Sequence, residues 1–259
     1  MRSRGSVAFV LVAVSGAAAW GCNPILGPSE RDRNWHVVDS AHFALYVRPG
    51  SFAEQNAPAL GMVLDDQYEV TLRLLQGQFD GRISGFLYNS AADAHLQSDH
   101  SGTAFPDTAA FEATATPPLD GNLMALVSHE ANHVLIRNAL GQPGTYCLSE
   151  GLASAVLSER YHGLGPHYYY AWTRAHRAQV PAISRLVDDE AWTQIDENVA
   201  YSTGASFLAY LLESAGPAKL RQLYYAPSKG FAERFAQIYG RPLESVEQEW
   251  LLFCDRAGG

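Results

Sequence analysis

The stretch His129-Glu130-Ala131-Asn132-His133 constrains this chain more than any other. Leu123-Met124-Ala125-Leu126-Val127 precedes it and Val134-Leu135-Ile136 follows it. An apolar run of that length predicts a buried helix. Yet it carries two imidazoles and a carboxylate, and buried polar groups need partners. In a helix His129 and His133 stand at i and i+4, about 6 Å apart along the axis on one face. There each imidazole can give one nitrogen to a single Zn²⁺ at about 2.0–2.1 Å. Glu130, beside them, is placed to take a proton from water at the metal rather than to bind the ion. The plainer alternative is a helix whose histidines only satisfy hydrogen bonds. A metal is the better reading because it supplies the partner that polar residues in so apolar a helix need.

Two histidines do not complete a hydrolytic zinc site, which generally has three protein ligands and a water. Glu150, in Leu148-Ser149-Glu150-Gly151-Leu152-Ala153, follows His133 by 17 residues. Between them Gly141, Pro143 and Gly144 predict the end of the first helix and a turn of the chain. A second helix beginning near Ser149 then returns Glu150 to the imidazoles. A glutamate in the first turn of any helix is favoured by the macrodipole. That explains the position of Glu150, but not its pairing with the upstream motif.

H-E-x-x-H followed by S-E-G-L-A resembles the gluzincin metallopeptidases, specifically the peptidase-MA-like group related to thermolysin and the aminopeptidase-type catalytic domains. The match is specific over 121–155 and looser over 36–255. The resemblance implies an α+β, thermolysin-like catalytic domain, with a small mixed sheet followed by a mainly helical lobe. It implies one Zn²⁺ held by His129, His133 and Glu150, Glu130 as general base, and a peptide or protein substrate. The metzincin pattern is excluded, since it needs Gly where Ile136 stands and His where Ala139 stands. The aminopeptidase signature G-x-M-E-N is absent, so recognition of an amino end is not supported. The group has a Y-x-x-G-x-x-F segment, met here as Tyr201 to Phe207. In related gluzincins a tyrosine near this place donates to the oxyanion, which assigns that role to Tyr201; a core tyrosine bonded to backbone is the alternative. His167 and His176 are further donor candidates. One departure is Ser154, where some gluzincins carry an acid that orients a ligating histidine. Asn132, Ser128 or backbone carbonyls are then the expected acceptors.

Residues 1–21 read as a signal peptide. Arg2 and Arg4 precede an apolar core of about 13 residues, too short to span a bilayer comfortably. It ends Ala19-Trp20-Gly21-Cys22, which resembles a bacterial lipobox. Lipidation of Cys22 predicts an envelope lipoprotein, periplasmic or associated with the outer membrane. Secretion with cleavage nearby is the alternative. Residues 22–34, with Pro24, Gly27 and Pro28, read as a tether. The domain then covers 35–255, divided into a mixed-sheet part over 35–118 and a helical part over 119–255.

Alternation predicts strands over 42–47 and 83–88, with shorter ones over 102–105 and 109–113. Helical spacing covers 53–76, closed by Gly77, and a short helix is expected over 91–97. The strand at 109–113 is assigned to the sheet edge, where Ala109 and Phe111 line the substrate cleft and an extended peptide pairs by β-augmentation. Pro117-Pro118 ends the sheet part, and Asp120 or Asn122 caps the metal helix. The second ligand helix is expected over 149–161. The aromatic segment 166–178 offers His167 and His176 to the cleft, or else forms a packed or solvated helix face. Helices over 199–214, 217–225, 230–239 and 243–254 close the chain, with Trp250 and Phe253 in the core. Cys147 and Cys254 read equally as a disulfide or as two buried thiols.

A composition 47% hydrophobic and 17% charged allows a sizeable core. The formal charge of −9, with no basic block, argues against nucleic acid as a partner. Two functions remain: an exported zinc peptidase, or a catalytically inactive envelope lipoprotein using the same fold as a binding or scaffold module. Glu130 favours the first, because a metal-holding scaffold has no need of a general base.

Overall fold

The computed structural model of the protein describes residues 34–90, 92–94 and 101–257. The expected signal segment, Cys22, nearly all of the tether and most of the helix expected over 91–97 lie outside them. The architecture is α+β, with one five-stranded mixed sheet and eleven helices among the described residues. No helix among these residues is long and apolar enough to cross a membrane.

The first strand, β1 (His36–Asp39), runs antiparallel to β2 (Phe43–Val47). The long helix α1 (Phe52–Leu75) then crosses over to β3 (Ile83–Tyr88), which lies parallel to β2. Next come β4 (Gly102–Phe105), a single 3₁₀ turn, and β5 (Ala110–Thr114). The spatial order is β1-β2-β3-β5-β4. β5 is parallel to β3 and antiparallel to β4, so β4 forms the edge and β5 is interior. This corrects the expectation that 109–113 is the edge. Both segments are short and apolar, and alternation does not say which one finds a second neighbour.

The alternation places Phe43, Leu45, Val47, Ile83, Leu87, Phe111 and Ala113 in one core with α1 and α2 (Gly121–Leu140). On the opposite face Phe86, Tyr88 and Ala110 pack with Trp35 and Tyr46. α2 starts at Asp120, whose carboxylate accepts from the backbone N–H groups of Asn122 and Leu123. α1 ends on Gln76 in the left-handed region (φ 48°) rather than on Gly77.

α3 (Tyr146–Ala155) begins three residues before the expected start and stops earlier than expected. The Thr145 side chain caps it by accepting from the N–H of Leu148. The chain continues through α4 (Glu159–His162), α5 (Pro166–Ala175), α6 (Ile183–Leu186) and α7 (Asp189–Trp192). α8 (Glu197–Ala215), α9 (Pro217–Leu223), α10 (Phe231–Tyr239) and α11 (Leu243–Ala257) complete it. A second core joins α3, α5, α8, α10 and α11, with Trp250 and Phe207 fully buried in it and Phe253 packed against it.

α3 and α8 touch backbone to backbone. A Cβ on Gly151 would come within 2.9 Å of the Gly204 carbonyl carbon, so larger residues would force the helices apart. This contact sets where Glu150 and Tyr201 lie, each on the same helix as one of the glycines. Cys147 and Cys254 are free and buried. Their sulfurs approach α8 beside Gly204 and Ser206 respectively. Those positions lie about 200° apart around a helix, so α8 stands between the thiols and no disulfide forms.

Candidate metal centre

α2 carries His129 and His133 one turn apart, and α3 returns Glu150 to them after the Gly-Pro-Gly turn. His129 Nε2 and His133 Nε2 stand 3.0 Å apart. Glu150 Oε2 lies 3.0 Å from His133 Nε2 and 3.3 Å from His129 Nε2. Three ligand atoms thus converge, and the three residues can hold a metal ion.

The outer nitrogens of both rings face α3. Ser154 Oγ lies 3.2 Å from His129 Nδ1, and Ser149 Oγ lies 3.5 Å from His133 Nδ1. With a metal bound, these hydroxyls would accept from Nδ1–H and so leave the Nε2 lone pairs aimed at the centre. Ser154 in turn hydrogen-bonds the buried Tyr169 on α5. The departure seen in the sequence therefore supplies the acceptor itself. The acceptors expected there serve otherwise. Asn132 donates to the Ala153 carbonyl at 2.8 Å and accepts from Thr71 at 2.7 Å and Gln67 at 3.2 Å. Gln67 also donates to the Val156 carbonyl at 2.9 Å. This buried net locks α1, α2 and the end of α3 together behind the centre. Ser128 Oγ is buried without a hydrogen-bond partner.

Glu130 is fully buried, and neither carboxylate oxygen has a hydrogen-bond partner. Burial raises its pKa, the nearby His133 opposes this, and Glu150 adds to it, bringing it up to about 8. Burial alone would push His133 down, but the charge and hydrogen bond of Glu150 outweigh it and lift it to about 9. Burial and the neighbouring His133 push His129 down. Burial works against the charge on Glu150, yet His133 and the hydrogen bonds from both rings hold its carboxyl well below the usual range. Without a metal, Glu150 thus favours the proton on His133, while burial and that neighbour disfavour a charge on His129.

Tyr201, on α8, is buried with its ring centroid 6.0 Å from that of His129, and its hydroxyl donates to Glu150. Burial and the Glu150 charge push its pKa well above 10. Its ring thus packs in the second core while its hydroxyl reaches the ligand carboxylate rather than a backbone group.

The centre opens into a cleft of about 510 Å³ lined by Glu130, His133 and Glu150, by Thr103 and Ala104 of β4, and by Tyr146 of α3. Four residues expected at the cleft lie elsewhere. Phe111 is fully buried in the sheet core. Ala109 forms the left-handed turn (φ 49°) before β5. His167 is exposed and bonded to Glu159 at 2.9 Å. His176 stacks on Trp172 and bonds its carbonyl at 2.9 Å. Sequence reasoning missed the two serines as partners of the imidazoles, and it expected the strand over 102–105 without placing it at the edge beside the cleft. Ser154 carried a legible signal, since it stands one helical turn after Glu150. No protein-family model matches the chain, and no curated protein matches it.

Proposed function

We propose that the protein is an exported zinc peptidase of gluzincin type, with a thermolysin-like catalytic domain, hydrolysing peptide bonds by attack of water with Glu130 as general base. The observation that carries this reading is the closed triangle of His129, His133 and Glu150 beside a buried, unpartnered carboxyl that shares their cleft. Three donors held tetrahedrally at about 2.0–2.1 Å from one zinc ion stand about 3.3–3.4 Å apart. The triangle's edges of 3.0 Å, 3.0 Å and 3.3 Å fit that donor set.

When bound, zinc supplies Lewis acidity to the scissile carbonyl and to water. Beside a dication the Glu130 carboxyl ionises more readily, because opposite charge favours its charged form. Glu130 then accepts a proton from the attacking water and delivers it to the leaving amine. Tyr201, whose hydroxyl stands at Glu150, takes the role of oxyanion donor. The open edge of β4, with Thr103 and Ala104 in the cleft, is the place for an extended substrate to pair through its backbone.

Replacing Glu130→Gln tests the chemistry. Zinc is expected to stay bound at one per chain while hydrolysis falls by about 10²–10⁴-fold. A zinc-loaded wild type that cleaves nothing in a broad peptide library would instead support a binding or scaffold module. The export and lipid anchor are supported by residues 1–22 alone. Cys22→Ser is expected to move the protein from the membrane fraction to the soluble one, and unchanged partition would remove the anchor.

A further inference from the structure

Among the described residues that line the cleft beside the centre, those that can carry charge near neutral pH are Glu130, His133, Glu150 and Asp189, beside the phenol of Tyr146, with neither Lys nor Arg. The first three serve the proposed centre, while Asp189 has no part in it. Asp189 is the first residue of α7, partly buried. Its Oδ1 accepts from the backbone N–H of Tyr146 at 2.8 Å, and it has no ion-pair partner among the described residues. Burial raises its pKa, and the adjacent Asp188 adds to this.

Its position relative to the centre follows from α3. Tyr146 starts that helix and Glu150 lies one turn further, about 6 Å along the axis. The Asp189 carboxylate and the ligand carboxylate thus line one cleft, anchored at backbone positions of α3 about a helical turn apart. An extended peptide advances about 3.3 Å per residue, so a side chain one or two residues from the cleaved bond reaches Asp189. The charges point the same way. A dication with Glu130 and Glu150 ionised sums to zero, which leaves Asp189, held by the N–H of Tyr146 at the start of α3, as the further carboxylate of the cleft. An apolar substrate side chain placed against it would strip water from the carboxylate and offer nothing in return. An ammonium or guanidinium would pair with it. Glu130, buried with both oxygens unpartnered in the same cleft, independently marks it as built to receive a polar ligand.

We propose that Asp189 is a specificity-determining residue that pairs with a Lys or Arg side chain of the substrate close to the cleaved bond. The proposal rests on the peptidase reading, and the experiment separates the two. Asp189→Asn keeps an acceptor for the Tyr146 N–H and removes the charge. The zinc-loaded protein is given peptides carrying Lys, Arg, norleucine or Glu at each position around the cleaved bond. At one position kcat/KM for Lys or Arg is expected to exceed that for norleucine by about tenfold or more. In Asp189→Asn that ratio falls to about one, and Asp189→Lys turns the preference toward Glu. No preference for basic residues in the wild type, or a preference that survives Asp189→Asn, overturns the proposal. A second readout needs no turnover. The Glu130→Gln protein, measured by calorimetry, is expected to bind a Lys peptide about tenfold more tightly than its norleucine analogue, and adding Asp189→Asn is expected to abolish the difference. Equal binding overturns the role of Asp189 whether or not the protein cleaves peptides. If nothing is cleaved but the binding difference holds, the peptidase reading fails and the cationic subsite stands.

Discussion

A side-chain carbon added to Gly102 would stand 2.7 Å from both Cγ and Oε1 of Glu130. The edge strand β4 therefore lays its backbone directly on the proposed general base, and only glycine permits the approach. Gly102→Ala must displace either the strand or the carboxyl. Zinc content is expected to be unchanged while turnover falls by about 10²-fold, since a shift of about 1 Å in a reacting group has that order of effect. Metal analysis and kcat on the same sample check this. Full activity in the variant would show that Glu130 needs no fixed position.

Metal binding is expected to release protons. Without metal the His133 pKa is lifted to about 9 and the Glu130 pKa to about 8, so both groups are mainly protonated at pH 7. A ligating imidazole must give up its proton, and a carboxyl beside a dication tends to lose its own. Affinity therefore rises with pH until these groups are already deprotonated, and falls about tenfold per pH unit for each proton released as the medium becomes more acidic. Titration calorimetry in buffers of different ionisation enthalpy counts the protons. A heat independent of buffer at pH 7 would contradict the charge state assigned to His133.

Ser154 holds His129 Nδ1 at 3.2 Å from within the second core. Ser154→Ala removes the acceptor without adding bulk. Metal affinity, measured by competition with a chelator, is expected to drop by about 10–100-fold while the fold is retained. Unchanged affinity would reduce Ser154 to a packing residue.

Asn132 faces away from the metal and joins Thr71, Gln67 and the Ala153 carbonyl. Asn132→Ala leaves several buried groups unpaired, at a cost of about 1–3 kcal/mol for each one not rescued by water. The expected result is a lower melting temperature in the metal-free protein, read by thermal unfolding. An unchanged Tm would mean the net contributes little.

The helices of the centre are legible in local sequence because their information is local. The i, i+4 spacing of His129 and His133 places both on one face of any helix, and the Gly-Pro turn returns Glu150 from only a short distance along the chain. The station of Tyr201 near the imidazoles was expected from the resemblance alone, and the contact of Gly151 with Gly204 that sets it there joins helices distant in the chain. The mixed α+β class follows from the same periodicities, which change from two to 3.6 along the chain.

Other features depend on which remote segments meet. β1 buries little of itself, so its pairing with β2 left no apolar pattern to read. β4 rather than β5 became the edge because hydrogen bonds to β3 went to β5, a choice between two similar strands that only the packed sheet makes. The thiols stayed apart because α8 passes between them. Asp189 joined the cleft through a bond to the backbone of Tyr146, across a span that carries no periodicity. The amino-acid sequence by itself determined the donor set and the helices that carry it. Tertiary packing decided which edge, which acceptor and which lone carboxylate face the same space, because such contacts arise between segments whose local patterns are blind to one another.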